Sequence, residues 1–335
     1  MKNIKFANKD KIERLKDIIR AGLNTHIDND YVLLDVPNHS NIGDTLIWQG
    51  ELEYLKELDY KCLYTSNIYT YNSKNISESA VILLHGGGNF GDVWRFNQNF
   101  RNKIIQDFPN NKIIIFPQTL HYSDAQNALY DAKLYANHPN LIICTRDNVS
   151  FEIAKKYFQR NQLLLLPDMA FFNDFTKFHT DTKTGNTLFL QRLDKELGDV
   201  VLLDKYLDKA RFEDNRVVVR DWPGFYNKGT LKYKMNYWAN VVETLGSKML
   251  IDSPLSFLVD DAYGLHGRNY KNKRIRTGIN FINQYDTVYS TRLHGFILAV
   301  LLNKEVFIFD NSYGKNRTFF DSWLSDFENV KLILE

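Results

Sequence analysis

Short runs of wholly apolar residues recur along this chain, and they limit its fold more than any other feature. Val81-Ile82-Leu83-Leu84 and Ile113-Ile114-Ile115-Phe116 leave no polar face. Strands of this kind must be covered on both sides, as in a parallel sheet flanked by helices. Runs at Tyr31–Val36, Cys62–Thr65, Ala80–His85, Lys112–Phe116, Leu141–Cys144 and Leu163–Leu166 alternate with amphipathic stretches at Ile42–Leu58, Asp92–Phe108, Ser123–Asn137 and Asn148–Phe158. That order predicts a doubly wound α/β unit ending near residue 170.

The polar stretch Asn173 to Asn186 reads as a linker. Beyond it, strands are expected near Thr187–Leu190, Arg216–Val219, Lys248–Ile251, Thr287–Tyr289 and Glu305–Phe309. Helices are expected near Leu231–Leu245, Pro254–Tyr263, Lys271–Gln284, Leu293–Asn303 and Lys315–Leu324. The expectation is an α/β protein of two Rossmann-like doubly wound domains, residues 1–172 and 173–335, with a cleft between them. The length of 335 residues suits two domains at roughly 150 residues each.

Composition excludes several classes. The longest apolar run, Phe296–Leu302, has seven residues, whereas a membrane-spanning helix needs about 20. The charged residues of the first turns, Lys2, Lys5, Lys9, Asp10 and Lys11, argue against a secretory leader. Two cysteines, Cys62 and Cys144, make neither a disulfide framework nor a thiolate zinc site. These features predict a reduced, cytoplasmic protein. A net charge of +2 gives no bulk attraction to nucleic acid. No grouping has metal-ligand spacing, and neither metal nor cofactor is expected.

The most informative local segment is His85-Gly86-Gly87-Gly88-Asn89-Phe90-Gly91-Asp92, between a buried strand and a helix. Its glycines permit close backbone approach, and the amides of the following helix could hold an anion or a sugar hydroxyl. Gly86, Gly88 and Gly91 fit G-x-G-x-x-G, but the next strand ends Phe116-Pro117-Gln118-Thr119, without the acid that a dinucleotide site requires. An esterase reading fails for want of a G-x-S-x-G elbow. Asn41-Ile42-Gly43-Asp44 partly repeats Asn89-Phe90-Gly91-Asp92, so two loops are expected at one carboxyl edge of a sheet. Helix capping is the plainer account of Asp44 and Asp92. Ser290-Thr291-Arg292-Leu293-His294-Gly295 forms a third strand-to-helix junction.

Taken in order, Asn41-Ile42-Gly43-Asp44, Gly86 to Asp92, Pro117-Gln118-Thr119, Thr145-Arg146-Asp147, Asp168-Met169-Ala170 and Arg292-Leu293-His294-Gly295 resemble the polysaccharide pyruvyl transferases over residues 31 to 325. Met169 departs from the proline that many members carry. The resemblance implies a GT-B-like fold and phosphoenolpyruvate as co-substrate. It also implies a cyclic pyruvate ketal on a glycan or lipid-linked oligosaccharide, made at the inner membrane face. It associates Arg146, Arg292, Leu293 and His294 with the donor.

Arginine forks suit the donor's carboxylate and phosphate, and His294 suits the proton transfers. Asp168 is expected to orient Arg146. Asn41, Asp44, Gly87, Gly88, Asn89, Asp92 and His121 are the acceptor-side candidates, with Asp44 and Asp92 candidates for hydroxyl contacts or for base catalysis. His39, His85 and His121 read first as packing or hydrogen-bonding residues, one of them a candidate for touching the acceptor. The basic stretch His266, Arg268, Lys271, Lys273, Arg274, Arg276 reads first as a solvated helix face, or else as a contact for anionic lipid headgroups. Trp222-Pro223-Gly224-Phe225-Tyr226 reads as an aromatic lid or as an ordinary loop. Two alternatives stay open: a GT-B glycosyltransferase using a sugar nucleotide, and a non-catalytic carbohydrate-binding protein.

Overall fold

The computed structural model describes residues 4–39, 41–180, 183–192, 198–213, 216–224, 229–250 and 268–334. The first part runs α1 (Ile4–Leu23), β1 (Tyr31–Leu34), α2 (Ile42–Leu55), β2 (Cys62–Ser66), β3 (Val81–Leu84), β4 (Gly87–Gly91), α3 (Arg95–Asp107), β5 (Ile113–His121), α4 (Ala125–Tyr135), β6 (Leu141–Thr145), α5 (Asn148–Tyr157) and β7 (Gln162–Leu165), then a 3₁₀ turn at Met169–Phe172. The second part runs β8 (Thr187–Leu190), α6 (Val200–Glu213), β9 (Val217–Arg220), α7 (Leu231–Leu250), α8 (Arg268–Ile282), β10 (Thr287–Ser290), α9 (Leu293–Leu301), β11 (Glu305–Phe309), α10 (Lys315–Trp323) and β12 (Val330–Ile333).

Two sheets result. One has the order β2-β1-β3-β5-β6-β7, with β4 joined to β5; the other has the order β12-β11-β10-β8-β9. The pairings are parallel, which gives a mixed α/β protein of Rossmann-like character. The apolar strands explain this directly. Leu33, Ile114 and Cys144 face one core cluster, while Val32, Ile113, Ile115 and Ile143 face another. Both sides of the first sheet are therefore dry. On the second sheet, Tyr289 stacks between Phe189 (4.3 Å) and Phe307 (4.5 Å), its registered neighbours on the flanking strands.

One apolar cluster joins the two sheets. Leu33 and Ile114 of the first belong to the same contiguous core as Leu188, Val288 and Ile308 of the second, through α2, α8 and α9. The crossing of α2 and α8 is close: a Cβ on Gly278 would stand 2.7 Å from Ile42 Cγ2.

Several sequence expectations are corrected. The glycine segment is a strand, β4, and not the entrance to a helix; α3 starts three residues later, at Arg95. Three of the segment's own amides are taken by side chains: Gly86 N donates to Glu51 Oε1, Asn89 N to Gln118 Oε1 and Gly91 N to Gln98 Oε1. β4 pairs with an extension of β5 beyond Pro117, where the β5 register shifts. Proline has no amide for a ladder, which accounts for the break. Gly87 and Gly91 take φ of 128° and 119°, open to glycine at little cost.

The stretch from Asn173 is not a solvated linker at its start. Asn173 is buried and donates to Leu46 O and Ala170 O, and Phe175 joins the shared core. Lys248, Met249 and Leu250 continue helix α7 instead of forming a strand. The helix expected at Pro254–Tyr263 lies outside the described residues, as do Ile251, His266, Phe225 and Tyr226. Helices α1 and α6 and strand β12 had no counterpart in the sequence reading. Leu15, Ile19 and Leu23 form the buried stripe of α1 at four-residue spacing. Among the described residues, no helix is long and apolar enough to cross a membrane.

Candidate active site

The carboxyl ends of strands from both sheets converge on a cavity of about 420 Å³. Segments after β1, β3, β6, β8, β9 and β10 reach it, together with the starts of α2 and α10. This is the edge at which open α/β sheets bind ligands.

Five basic side chains, Arg146, Arg192, Arg292, His294 and Lys315, line the cavity. Arg146 follows β6 and is fully buried; its Nε donates to Thr119 Oγ1 at 2.9 Å and its Nη1 to Asp168 Oδ2 at 2.5 Å. The same Asp168 oxygen lies 3.2 Å from His294 Nε2, and Oδ1 accepts from Ala170 N at 2.8 Å. Asp168 thus fixes an arginine from one sheet and a histidine from the other. Its buried site would raise its pKa, but His294 and Arg146 overcome this and hold the carboxyl well below the usual range.

Burial pushes the His294 pKa down, partly opposed by Asp168. The ring therefore favours its neutral form, with Nε2–H facing Asp168 and a lone pair on Nδ1. Nδ1 faces Gly43 in the first turn of α2: a Cβ on that glycine would stand 2.7 Å away. Only a hydrogen at this position leaves room for the ring.

Arg292 is held by a residue the sequence reading missed. Its Nη2 donates to Asp221 Oδ2 at 2.7 Å, and its Nε donates to Asp221 Oδ1. This bidentate fork fixes the guanidinium plane at the cavity wall. The available signal was an acid directly after strand β9, at a sheet edge already rich in arginine. Arg192 and Lys315 were missed as well; each stands at a strand end or helix start, but neither sits in a motif.

Acidic and aromatic groups line the cavity as well: Asp35 and Asp44 with His39 and His85, and the rings of Tyr69, Trp94 and Phe96. Trp94 and Phe96 are 46% and 58% exposed, so aromatic ring surface reaches the cavity. Burial pushes the Asp35 carboxyl up to about 6, against the pull of Arg101. Asp35 also holds φ of 65°, a strained backbone for a residue with a side chain, of the kind that clusters at functional sites.

Of the residues singled out from sequence, Arg146, Arg292, Leu293, His294, Asn41, Asp44, Gly88 and Asn89 line this cavity. Asp168 stands behind it. Asn41 caps α2 through Gly43 N and donates to Asp44 Oδ2 at 2.8 Å. Three candidates are not brought there. Gly87 lies in β4 outside the lining. Asp92 accepts from Ser123 N and Oγ and from Asp124 N, tying down the turn before α4. The His121 ring packs on Tyr313 at 4.9 Å.

The basic stretch is not uniformly solvated. Lys271 is buried over the Trp48 ring, and Arg274 Nη1 donates to His39 O at the cavity rim; Lys273 and Arg276 are exposed. Trp222 is buried against Phe281 and is no lid.

Comparison with known proteins bears on this geometry. The family described as Polysaccharide pyruvyl transferase matches residues 41–313. The chain is 28% identical over 326 residues to "Putative pyruvyl transferase EpsO" of Bacillus subtilis, covering 97% of this chain and 93% of that one. It is 28% identical over 305 residues to "Pyruvyl transferase 1" of Schizosaccharomyces pombe, covering 87% and 69%. Its fold is similar to the crystal structure of an uncharacterized protein of Klebsiella pneumoniae, with TM-score 0.63 and 20% identity over 96% of this chain and 99% of that one.

Proposed function

Because this chain belongs to the polysaccharide pyruvyl transferase family, we propose that its cavity holds phosphoenolpyruvate on its guanidinium and imidazole groups and a sugar against its carboxyl groups and aromatic rings. The product is a cyclic pyruvate ketal across two sugar hydroxyls, on a glycan or a lipid-linked precursor. One observation carries this reading: Arg146 and the Arg292–His294 pair, far apart in sequence, meet at one cavity that carboxyl groups and aromatic rings also line. A small anion fits the guanidinium groups. A polyol with an apolar face fits the carboxyl groups and rings.

The chain's residues divide the work. Arg146 and Arg292 bind the carboxylate and the phosphate. Their counter-ions, Asp168 and Asp221, fix the guanidinium planes. His294 rests neutral. A phosphate dianion beside it favours the imidazolium, so donor binding loads a proton onto Nδ1, the atom facing Gly43. That proton goes to C3 of the enol, C2 becomes electrophilic, and a sugar hydroxyl attacks it.

In this reading the two sheets form a GT-B-like pair. Residues 1–172 supply the acceptor side together with Arg146, and residues 173–335 supply the rest of the donor side. The enzyme works in the cytoplasm, where exposed Lys273 and Arg276 meet anionic headgroups around a lipid-linked acceptor.

The test is incubation with phosphoenolpyruvate and a panel of aryl and lipid-linked glycosides, read by mass spectrometry for the ketal increment. Thermal shifts with phosphoenolpyruvate and with sugar nucleotides run in parallel. His294→Ala should stay folded and lose transfer. A shift with sugar nucleotides alone, and no ketal product, would overturn the reading.

A further inference from the structure

Two imidazoles that the scheme above does not use, His39 and His85, also line the cavity. His85 follows β3 and is 3% exposed. Its Nδ1 lies 2.8 Å from Glu51 Oε2. Glu51 is fully buried within α2, and its other oxygen accepts from Gly86 N at 2.8 Å. A carboxylate acting as acceptor at both oxygens makes His85 Nδ1 the donor and leaves the lone pair on Nε2. Among the described residues, Nε2 is almost wholly buried at the cavity wall and meets no hydrogen-bond partner. An orphaned polar atom at that depth is costly, and a ligand group explains its persistence.

The surroundings indicate which group. His85 lines the cavity beside Asp35 and Asp44. Two carboxyl groups repel an anion and accept from hydroxyls. The Tyr69 and Phe96 rings pack 5.9 Å apart at the rim, where the apolar face of a sugar ring could rest.

We infer that His85, oriented by Glu51, is the base that takes the proton of the attacking acceptor hydroxyl. The inference rests on the proposed pyruvyl transfer and adds a second proton-transfer station to it. His294 gives a proton to C3. The hydroxyl oxygen forms its bond to C2 as its O–H bond breaks, and that proton goes to His85 Nε2. The second hydroxyl then closes the ring. The C2–O bond to phosphate breaks, and phosphate leaves with the electron pair and the second hydroxyl's proton. His85 returns its proton to solvent, from which His294 is recharged. Nothing is oxidised or reduced.

The groups facing His85 come from several elements: Glu51 and Asp44 from α2, Asp35 from the end of β1, and His39 from the loop between β1 and α2. Burial lowers the His85 pKa, but the three acids more than reverse this. Transfer should therefore have an acidic limb set by His85, with activity rising as the ring loses its proton.

The experiment compares wild type, His85→Gln and Glu51→Gln with phosphoenolpyruvate and an accepted glycoside. His85→Gln should lower kcat by about 10²- to 10⁴-fold. It should also erase the acidic limb and keep the thermal shift given by phosphoenolpyruvate. Glu51 is a positioning residue, so Glu51→Gln should move the limb to lower pH. If both variants unfold, nitrogen NMR of wild-type His85 decides: the glycoside alone should move the Nε2 resonance and leave Nδ1 in place. An unmoved Nε2 signal, or His85→Gln with wild-type kcat and limb, overturns the role of His85 and leaves pyruvyl transfer standing. Absence of any ketal from the wild type overturns both.

Discussion

Replacing Gly43 by alanine adds one methyl group where α2 crosses His294. The new carbon would stand 2.7 Å from Nδ1, 2.9 Å from Cβ and 3.0 Å from Cγ of that histidine. Ordinary contact begins at 3.4 Å, so ring and helix must separate by about 0.7 Å. The ring has little room, because Nε2 is held 3.2 Å from Asp168 and 3.4 Å from Arg146 Nη1. Two stability effects oppose each other. Alanine is favoured over glycine in a helix by about 1 kcal/mol, whereas overpacking costs about 1–3 kcal/mol. The net loss is about 0–2 kcal/mol, a small fall in Tm. Activity has no such offset: a 1 Å misplacement at a reacting centre costs on the order of 10²-fold, and the methyl group covers the atom that carries the proton. Initial rates of ketal formation should fall about 100-fold while circular-dichroism melts change little. Wild-type kcat in Gly43→Ala would refute the assignment of Nδ1 as the proton donor.

Other substitutions probe separate parts of the construction. Phe96→Ala removes an exposed rim ring and should raise the acceptor KM up to about tenfold with the donor KM unchanged, in steady-state assays. Asp168→Asn leaves a buried guanidinium without its counter-charge and should cost about 3–5 kcal/mol in urea unfolding at neutral pH. The depressed pKa of Asp168 gives stability that is present above the unfolded value, near 3.9, and lost as pH falls through the lower folded value. Wild-type Tm should therefore drop on acidification below about pH 4, and the Asp168→Asn curve should be flatter there. Gly50→Ala places a carbon 1.9 Å from the backbone oxygen of Met169, which cannot swing aside as a side chain would. A loss of about 3 kcal/mol or more is expected, and an unchanged urea midpoint would contradict the packing of α2 on that turn.

The strands were legible because they are apolar on both faces, and burial on both faces leaves an unambiguous trace in sequence. Arg292 and His294 were legible as a strand-to-helix junction whose side chains can face a cleft, and Arg146 only through the resemblance of the ordered motifs to a family. Asp221 and Glu51 were not. Each acts through a partner 71 or 34 positions away, and such a pairing depends on strand order and helix rotation. The glycine segment misled for a related reason: β4 exists because the end of β5 offers it a partner, and nothing local announces that. Helix α1 was missed because mostly polar sequence surrounds its thin buried stripe.

The shared interior of the two sheets has a consequence for how such an enzyme can diversify. With Leu33 and Leu188 in one continuous apolar body, neither half can be swapped for a foreign one without re-forming a dry seam. On the proposed placement of the sugar, new acceptors would be accommodated by changing positions such as Tyr69, Trp94 and Phe96, while the inner wall stays fixed. Grafting rim segments between relatives should transfer sugar preference, whereas exchanging whole halves should give insoluble chains.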